Sequence, residues 1–161
     1  MKKKLLFLGC NYDQIPYLKF IKKRFDFKII GVDLNENAPG KLLCDKFYNV
    51  GYEDLRGLIE VGKLEKFTKY DMVFTAAAQF AQKGAAHFSA QFGINFPSEK
   101  SIDLCLDKIK YYDYFFKNNI PIPKTWKIKN ENELTNKIKE SSSKYFYLKS
   151  DFSKNPNYVY R

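Results

Sequence analysis

Three short runs constrain the fold of this chain more than anything else in it: Lys4 to Gly9 (KLLFLG), Phe27 to Asp33 (FKIIGVD) and Lys69 to Thr75 (KYDMVFT). Their apolar stretches are continuous rather than alternating with polar residues. A strand with one face in water alternates, whereas a strand covered on both faces does not, and that is the pattern of parallel sheets. The segments between the runs carry helical spacing. Asp13 is read as a helix cap with Pro16 in the first turn, and Ile15, Leu18, Ile21 and Phe25 follow on one face. Leu58, Ile59, Leu64 and Phe67 mark a helix over residues 55–67, in spite of Gly57 and Gly62. An alanine-rich helix is expected from Ala76 to Phe92, ended by Gly93. Asn35 to Gly40 (NENAPG) reads as a loop, and Lys46 to Val50 as a short extended segment. Strand alternating with helix predicts βαβ units, a parallel sheet and right-handed crossovers. The fold class is therefore α/β, with residues 1–97 forming a Rossmann-like domain.

The pattern changes after Pro97. Ser98 is a helix cap, and Ile102, Cys105, Leu106, Ile109, Tyr112 and Phe116 share one helical face, predicting a single connecting helix over residues 98–119. Beyond it, Thr125 to Ile128 reads as a strand, Glu131 to Glu140 as a helix, and Tyr145 to Lys149 with Tyr158 to Tyr160 as a hairpin. Residues 120–161 thus belong to a small α+β unit, separate from the first sheet.

Composition removes several classes. Apolar residues make up 45% and charged residues 29% of 161, a globular balance. No run approaches the roughly 18 apolar residues of a membrane span. At the amino end, MKKKLLFLGC has apolar residues only from Leu5 to Leu8 before polar ones return, which fits a buried strand in a cytoplasmic protein better than a secretory signal. Cys10, Cys44 and Cys105 are far apart in sequence, with no CxxC pair, so neither a disulfide framework nor a zinc site is expected. The formal charge of +10 comes almost wholly from scattered lysines, with Arg only at 24, 56 and 161. Arginine is the residue of bidentate phosphate and base contacts, so a solvated lysine surface is preferred to a nucleic-acid interface.

Candidate sites follow the strand ends. Gly9 is the only glycine where a dinucleotide fingerprint needs three, so close approach of a pyrophosphate is not supported there. A polar or anionic group at the next helix N-terminus stays open. Asp33 stands where such folds place a ribose-binding acid, and equally where an ordinary turn begins. Asn35 to Lys41 (NENAPGK) lacks the first glycine and the final Ser or Thr of a P-loop and is rejected. His87, the one histidine, carries no nucleophile–base signature around it, and the aromatics from Tyr111 to Phe116 sit at spacings that suit core packing. Lys149 ends an aromatic run, and its ammonium must meet either water or a phosphate oxygen.

Four features together resemble the ATP-grasp superfamily of carboxylate–amine ligases, which includes biotin carboxylase, carbamoyl-phosphate synthase large chains and the purine-pathway carboxylases. A Rossmann-like region comes first. Ala38-Pro39-Gly40 and then Cys44-Asp45-Lys46-Phe47 are similar to the family's "APG…AD" segment. Asp107-Lys108 runs into Ile120-Pro121-Ile122-Pro123-Lys124-Thr125, similar to "DK…GIPxPxT". Phe146 to Ser150 (FYLKS) resembles the strand "PxxxKP". The resemblance implies a pre-ATP-grasp domain at 1–97 and the start of the ATP-grasp small subdomain at 120–161. It implies ATP and Mg2+ as cofactors, with Lys108 and Lys149 on the nucleotide phosphates and the Mg2+ ligands in sequence beyond Arg161. Small-molecule carboxylate and amine substrates are implied, with Gly9, Asn11, Asp33 and Gln79 on the substrate side, together with homodimer formation. Ser150 replaces the usual proline, and Ser153 to Tyr158 has no glycine where the phosphate flap is glycine-rich. Family members continue well past the hairpin, so the expected function is that of an N-terminal fragment, not catalytically competent alone. The alternative is a noncatalytic Rossmann-like module that binds a nucleotide or a partner.

Overall fold

The computed structural model describes residues 2–149 and the backbone of 159–160. The chain divides into two compact units, Met1–Asp103 and Leu104–Arg161. In the first, the three apolar runs become β1 (Lys3–Leu8), β2 (Phe27–Val32) and β4 (Met72–Thr75), and the short extended segment becomes β3 (Lys46–Tyr48). All pairings are parallel, in the order β3-β2-β1-β4. Register is continuous, from Lys3 opposite Phe27 to Leu8 opposite Val32, and from Leu5 opposite Met72 to Leu8 opposite Thr75.

Helices cover both faces, as the uninterrupted apolar runs require. Alternate residues point opposite ways along a strand. Leu5, Phe7 and Ile29 therefore pack with Leu18 and Ile21 of α1 (Ile15–Arg24). Leu6, Leu8, Ile30, Val32 and Val73 pack with Leu58 and Val61 of α2 (Leu55–Leu64) and with Ala85 and Phe88 of α3 (Ala81–Phe92). Burying each such Leu, Ile, Val or Phe side chain fully contributes roughly 1.5–3 kcal/mol. Gly62 explains how α2 and α3 come so close: a Cβ there would lie 2.7 Å from Phe88 Cε2. Phe67, Phe88 and Phe92 then stack beneath it, with Phe67 edge-on to Phe88 at 5.1 Å. Gly93 ends α3 with φ +66, as its sequence position predicts.

Several elements differ from expectation. Asn11, not Asp13, caps the first helical segment, a 3-10 turn over Tyr12–Gln14 that leads into α1. The alanine-rich helix starts at Ala81 rather than Ala76, because Ala77 takes φ +52 and breaks the helical path. The single connecting helix is two, α4 (Glu99–Leu106) and α5 (Lys108–Lys117). Asp107 is the reason: its backbone is extended and its carboxylate accepts from the N–H groups of Ile109 and Lys110, which starts a new helix.

In the second unit, α6 (Glu131–Glu140) forms as expected, capped by Asn130 on the N–H of Glu133. The hairpin forms as an antiparallel pair, β5 (Leu148–Lys149) with β6 (Val159–Tyr160). The strand expected at Thr125 to Ile128 makes no ladder. No described strand runs beside it, and a strand without a partner has no hydrogen bonds to hold it. The aromatics of α5 do not form the expected core: no residue of that helix is buried, and Phe116 is 79% exposed. Tyr111 and Phe115 pack against each other instead, their tilted rings 4.2 Å apart at the centres. Among the described residues, no helix is long and apolar enough to cross a membrane.

Candidate functional site

Because β1, β2 and β4 are parallel, their carboxyl ends open on one edge of the sheet. The chain steps from β1 to β2 on one side, then returns to place β4 on the other, so the order reverses between β1 and β4. Open α/β sheets bind ligands outside the strand ends at such a switch point.

Gly9, the first residue past β1, has φ +88, a region that side chains enter only at a cost. Its N–H donates to Val32 O at 2.9 Å. The N–H of Cys10 donates to Asp33 Oδ2 at 2.6 Å, and the N–H of Asn35 to Asp33 Oδ1 at 2.8 Å. Asp33 therefore ties the end of β1 to the loop after β2, with further lone pairs left on each oxygen. Asn49 closes that loop from the other side, donating to Asp33 O at 3.0 Å and to Leu34 O at 2.7 Å. The N–H of Gly40 donates to Cys10 O at 2.7 Å, and a Cβ at Gly40 would lie 2.8 Å from that same oxygen. This close approach folds the loop holding Ala38-Pro39-Gly40 back onto β1.

Gln14 spans the switch point itself. It is 5% exposed; its Oε1 accepts from the N–H of Asn11 at 3.0 Å and its Nε2 donates to Ala76 O at 3.0 Å. Asn11 Oδ1 accepts from the N–H of Tyr12 at 2.8 Å. The N–H groups of Asn11 and Tyr12, at this helix start, are thus already engaged by side chains. Thr75, the last residue of β4, is 8% exposed, and its hydroxyl has no partner among the described residues. Gln79 is exposed, in the short segment between Ala77 and α3 whose other residues are partly buried. The fold therefore brings Gly9 and Asp33 together, through the Gly9 N–H on the neighbouring Val32 O and the Cys10 N–H on Asp33, with Asn11 next along the chain and bonded to Gln14, while exposed Gln79 has no part in these bonds.

The two lysines expected on a nucleotide fall in the second unit. Lys108 is the half-buried first residue of α5, directly after the Asp107 cap. The backbone N–H of Lys110, above all, holds the Asp107 carboxyl below its usual range. Lys149 is exposed on β5. Between α5 and the Ile120–Trp126 segment lies a cavity of about 580 Å3 lined by Tyr112, Phe116, Ile122 and Trp126, with Lys124 Nζ 5.3 Å from the Trp126 ring centre. Among the described residues, no three acidic, His or Cys side chains cluster as metal ligands would. Ser150 and the segment Ser153 to Tyr158 lie outside the described residues.

Sequence reading missed Gln14, Asn49 and Thr75. For Gln14 a signal was present: Asn11-x-x-Gln14 is the spacing of a reciprocal cap. Asn49 and Thr75 join the site only through strand order, which no local pattern carries.

Comparison with known proteins gives a fold. No family model and no curated protein sequence matches the chain. Solved structures do. Phosphoribosylglycinamide synthetase from Anaerococcus prevotii is 21% identical with a TM-score of 0.65, over 87% of this chain and 35% of its own. N5-carboxyaminoimidazole ribonucleotide synthetase from Thermotoga maritima is 18% identical with a TM-score of 0.70, over 98% and 40%. N5-carboxyaminoimidazole synthetase from Staphylococcus aureus, solved with ADP, is 16% identical with a TM-score of 0.67, over 96% and 40%. This chain thus spans well under half the length of the synthetases it matches. Its fold is that of their matching regions, and the resemblance to the pre-ATP-grasp region of ATP-grasp ligases is borne out at the level of fold.

Proposed function

We propose that this chain is the N-terminal portion of an ATP-grasp carboxylate–amine ligase of the cytoplasm. The observation that carries the reading is the fold match to an ADP-bound synthetase over 96% of the chain, with Asp107-Lys108 capping a helix that leads into Ile120-Pro121-Ile122-Pro123. MgATP, when bound, supplies the phosphoryl group that turns a carboxylate into an acyl-phosphate. Lys108 and Lys149 hold phosphate oxygens of the nucleotide, for which an ammonium is a compact point charge. The Mg2+ ligands lie in sequence outside this chain. The mouth of the first sheet, at Gly9, Asn11, Asp33 and Gln79, takes the acceptor substrate, and the Thr75 hydroxyl, without a partner among the described residues, supplies a further polar group there.

The test uses the complete gene product with MgATP, a panel of small carboxylates and hydroxylamine as an acyl-phosphate trap. Hydroxamate should form with one carboxylate class and vanish in the K108M/K149M double variant. Hydroxamate formation unchanged in that variant would sink the assignment of the two lysines. No ATP consumption across the panel would favour the noncatalytic alternative.

A further inference from the structure

The structure brings together two cysteines that the sequence keeps 34 residues apart. Cys10 Sγ and Cys44 Sγ are 3.9 Å from each other. Both sulfurs rest over Gly31, the last residue but one of β2: a Cβ there would collide with Cys44 Sγ and lie 2.9 Å from Cys10 Sγ. The missing side chain at position 31 therefore makes the space in which the sulfurs meet. Cys10 is fully buried, while Cys44 is partly open to solvent at the end of the Pro39–Leu43 turn. Cys105 is exposed in α4, well separated in sequence.

We propose that Cys10 and Cys44 form an oxidation site that takes a small hydroperoxide at Cys44 and closes to an intramolecular disulfide. The Cys44 thiolate attacks the distal peroxide oxygen; the O–O bond breaks, and the departing oxygen leaves as water or alcohol after taking a proton. Cys44 is then a sulfenic acid. The Cys10 sulfur attacks the Cys44 sulfur, the S–O bond breaks, and the Cys10 proton leaves with the hydroxyl as water. Two thiols have lost two electrons and the peroxide has gained them. The sulfurs need to close from 3.9 Å to the usual disulfide length of about 2.05 Å. Polarity favours this order of attack. The hydrogen bond shared with Cys10 draws the Cys44 thiol below its ordinary range against the effects of burial and Asp45, and Lys22 adds to the lowering. The same pairing with Cys44, together with burial, keeps Cys10 protonated until it resolves the intermediate. Thiolate character and access decide which cysteine is oxidised first.

The bond would fasten the end of β1 to the loop that already closes on it through Gly40 N–H and Cys10 O. Such reversible disulfides are the kind found in reducing compartments. The inference stands on the geometry and access of the two sulfurs and does not depend on the ligase reading.

The experiment treats the reduced 161-residue protein with hydrogen peroxide, alkylates it, digests it and reads the peptides by mass. The expected product is a monomer lighter by two hydrogens, with the Cys10 and Cys44 peptides joined and Cys105 alkylated. Reductant should restore both thiols. In C10S and, as a second replacement less demanding of the buried site, C10A, the joined peptide should be lost and dimedone should label Cys44. Cys105-linked dimers with Cys10 and Cys44 still alkylatable would overturn the proposal. So would a Cys44 oxidised beyond sulfenic acid in the unsubstituted protein with Cys10 left as a thiol.

Discussion

Glu65 is a buried carboxylate whose loss should be read directly in the acid limb of stability. It follows α2, its side chain is 3% exposed, and three donors reach it: Lys28 Nζ at 2.7 Å, Lys46 Nζ at 2.6 Å and the Tyr48 hydroxyl at 2.6 Å. Lys28 lies on β2, and Lys46 and Tyr48 lie on β3, so this one side chain ties α2 to two strands. Burial alone would raise its pKa; the hydrogen bonds from Lys28, Lys46 and Tyr48 overcome that and hold it at about 2, below the ordinary 4.5. A folded-state value below the unfolded one contributes stability that is full above about pH 4.5 and is lost as pH falls toward 2. At about 1.36 kcal/mol per pH unit the full contribution is on the order of 3 kcal/mol, and about 2 kcal/mol of it is gone by pH 3. Glu65→Gln keeps an acceptor for Tyr48 but removes the charge. Urea unfolding followed by circular dichroism at pH 6 and pH 3 should show the variant less stable at pH 6. The gap between variant and parent should shrink by about 2 kcal/mol at pH 3. Every other carboxylate is common to both proteins and cancels in that comparison. A gap that stays constant with pH would refute the assignment of a charged, lysine-bound Glu65.

Other perturbations test the mouth and the helix starts. Gly9→Ala should cost on the order of 1 kcal/mol, read in the same urea assay, because the backbone holds φ +88 while the new Cβ meets Gln14 at an ordinary 3.5 Å. Asn11→Ala removes the reciprocal cap with Gln14 and should cost about 1 kcal/mol, whereas Asn11→Asp should retain most of it. Asp107→Ala should lower the helicity of the second unit, seen as loss of amide protection at Tyr111, whose N–H bonds to the carbonyl of Asp107. Phe7→Ala, at a fully buried position beside Phe74, should cost about 3–5 kcal/mol, enough to unfold a marginal domain.

The sequence by itself determined the class of fold, because burial on both faces leaves a local mark. Leu5 to Leu8 and Ile29 to Val32 could not be half-solvated strands, and the helices between them needed only their own periodicity to be seen. The Asp-Lys pair and the two prolines were equally local, and they pointed to the family whose fold the structure shares. Tertiary structure alone decided which strand ends stand together. Gln14 reaches Ala76 across 62 residues because β4 adds on the far side of β1, whereas Asn49 reaches back to Asp33 and Cys44 comes to rest beside Cys10 because β3 pairs with β2 on the other side. Strand pairing also withheld a ladder from Thr125 to Ile128, and Asp107 split a helix whose apolar spacing ran unbroken through it. The physical reason is common to these cases. Periodicity encodes how much a residue is buried, whereas the partner of a buried or polar group is set by crossovers that bring distant segments to one edge.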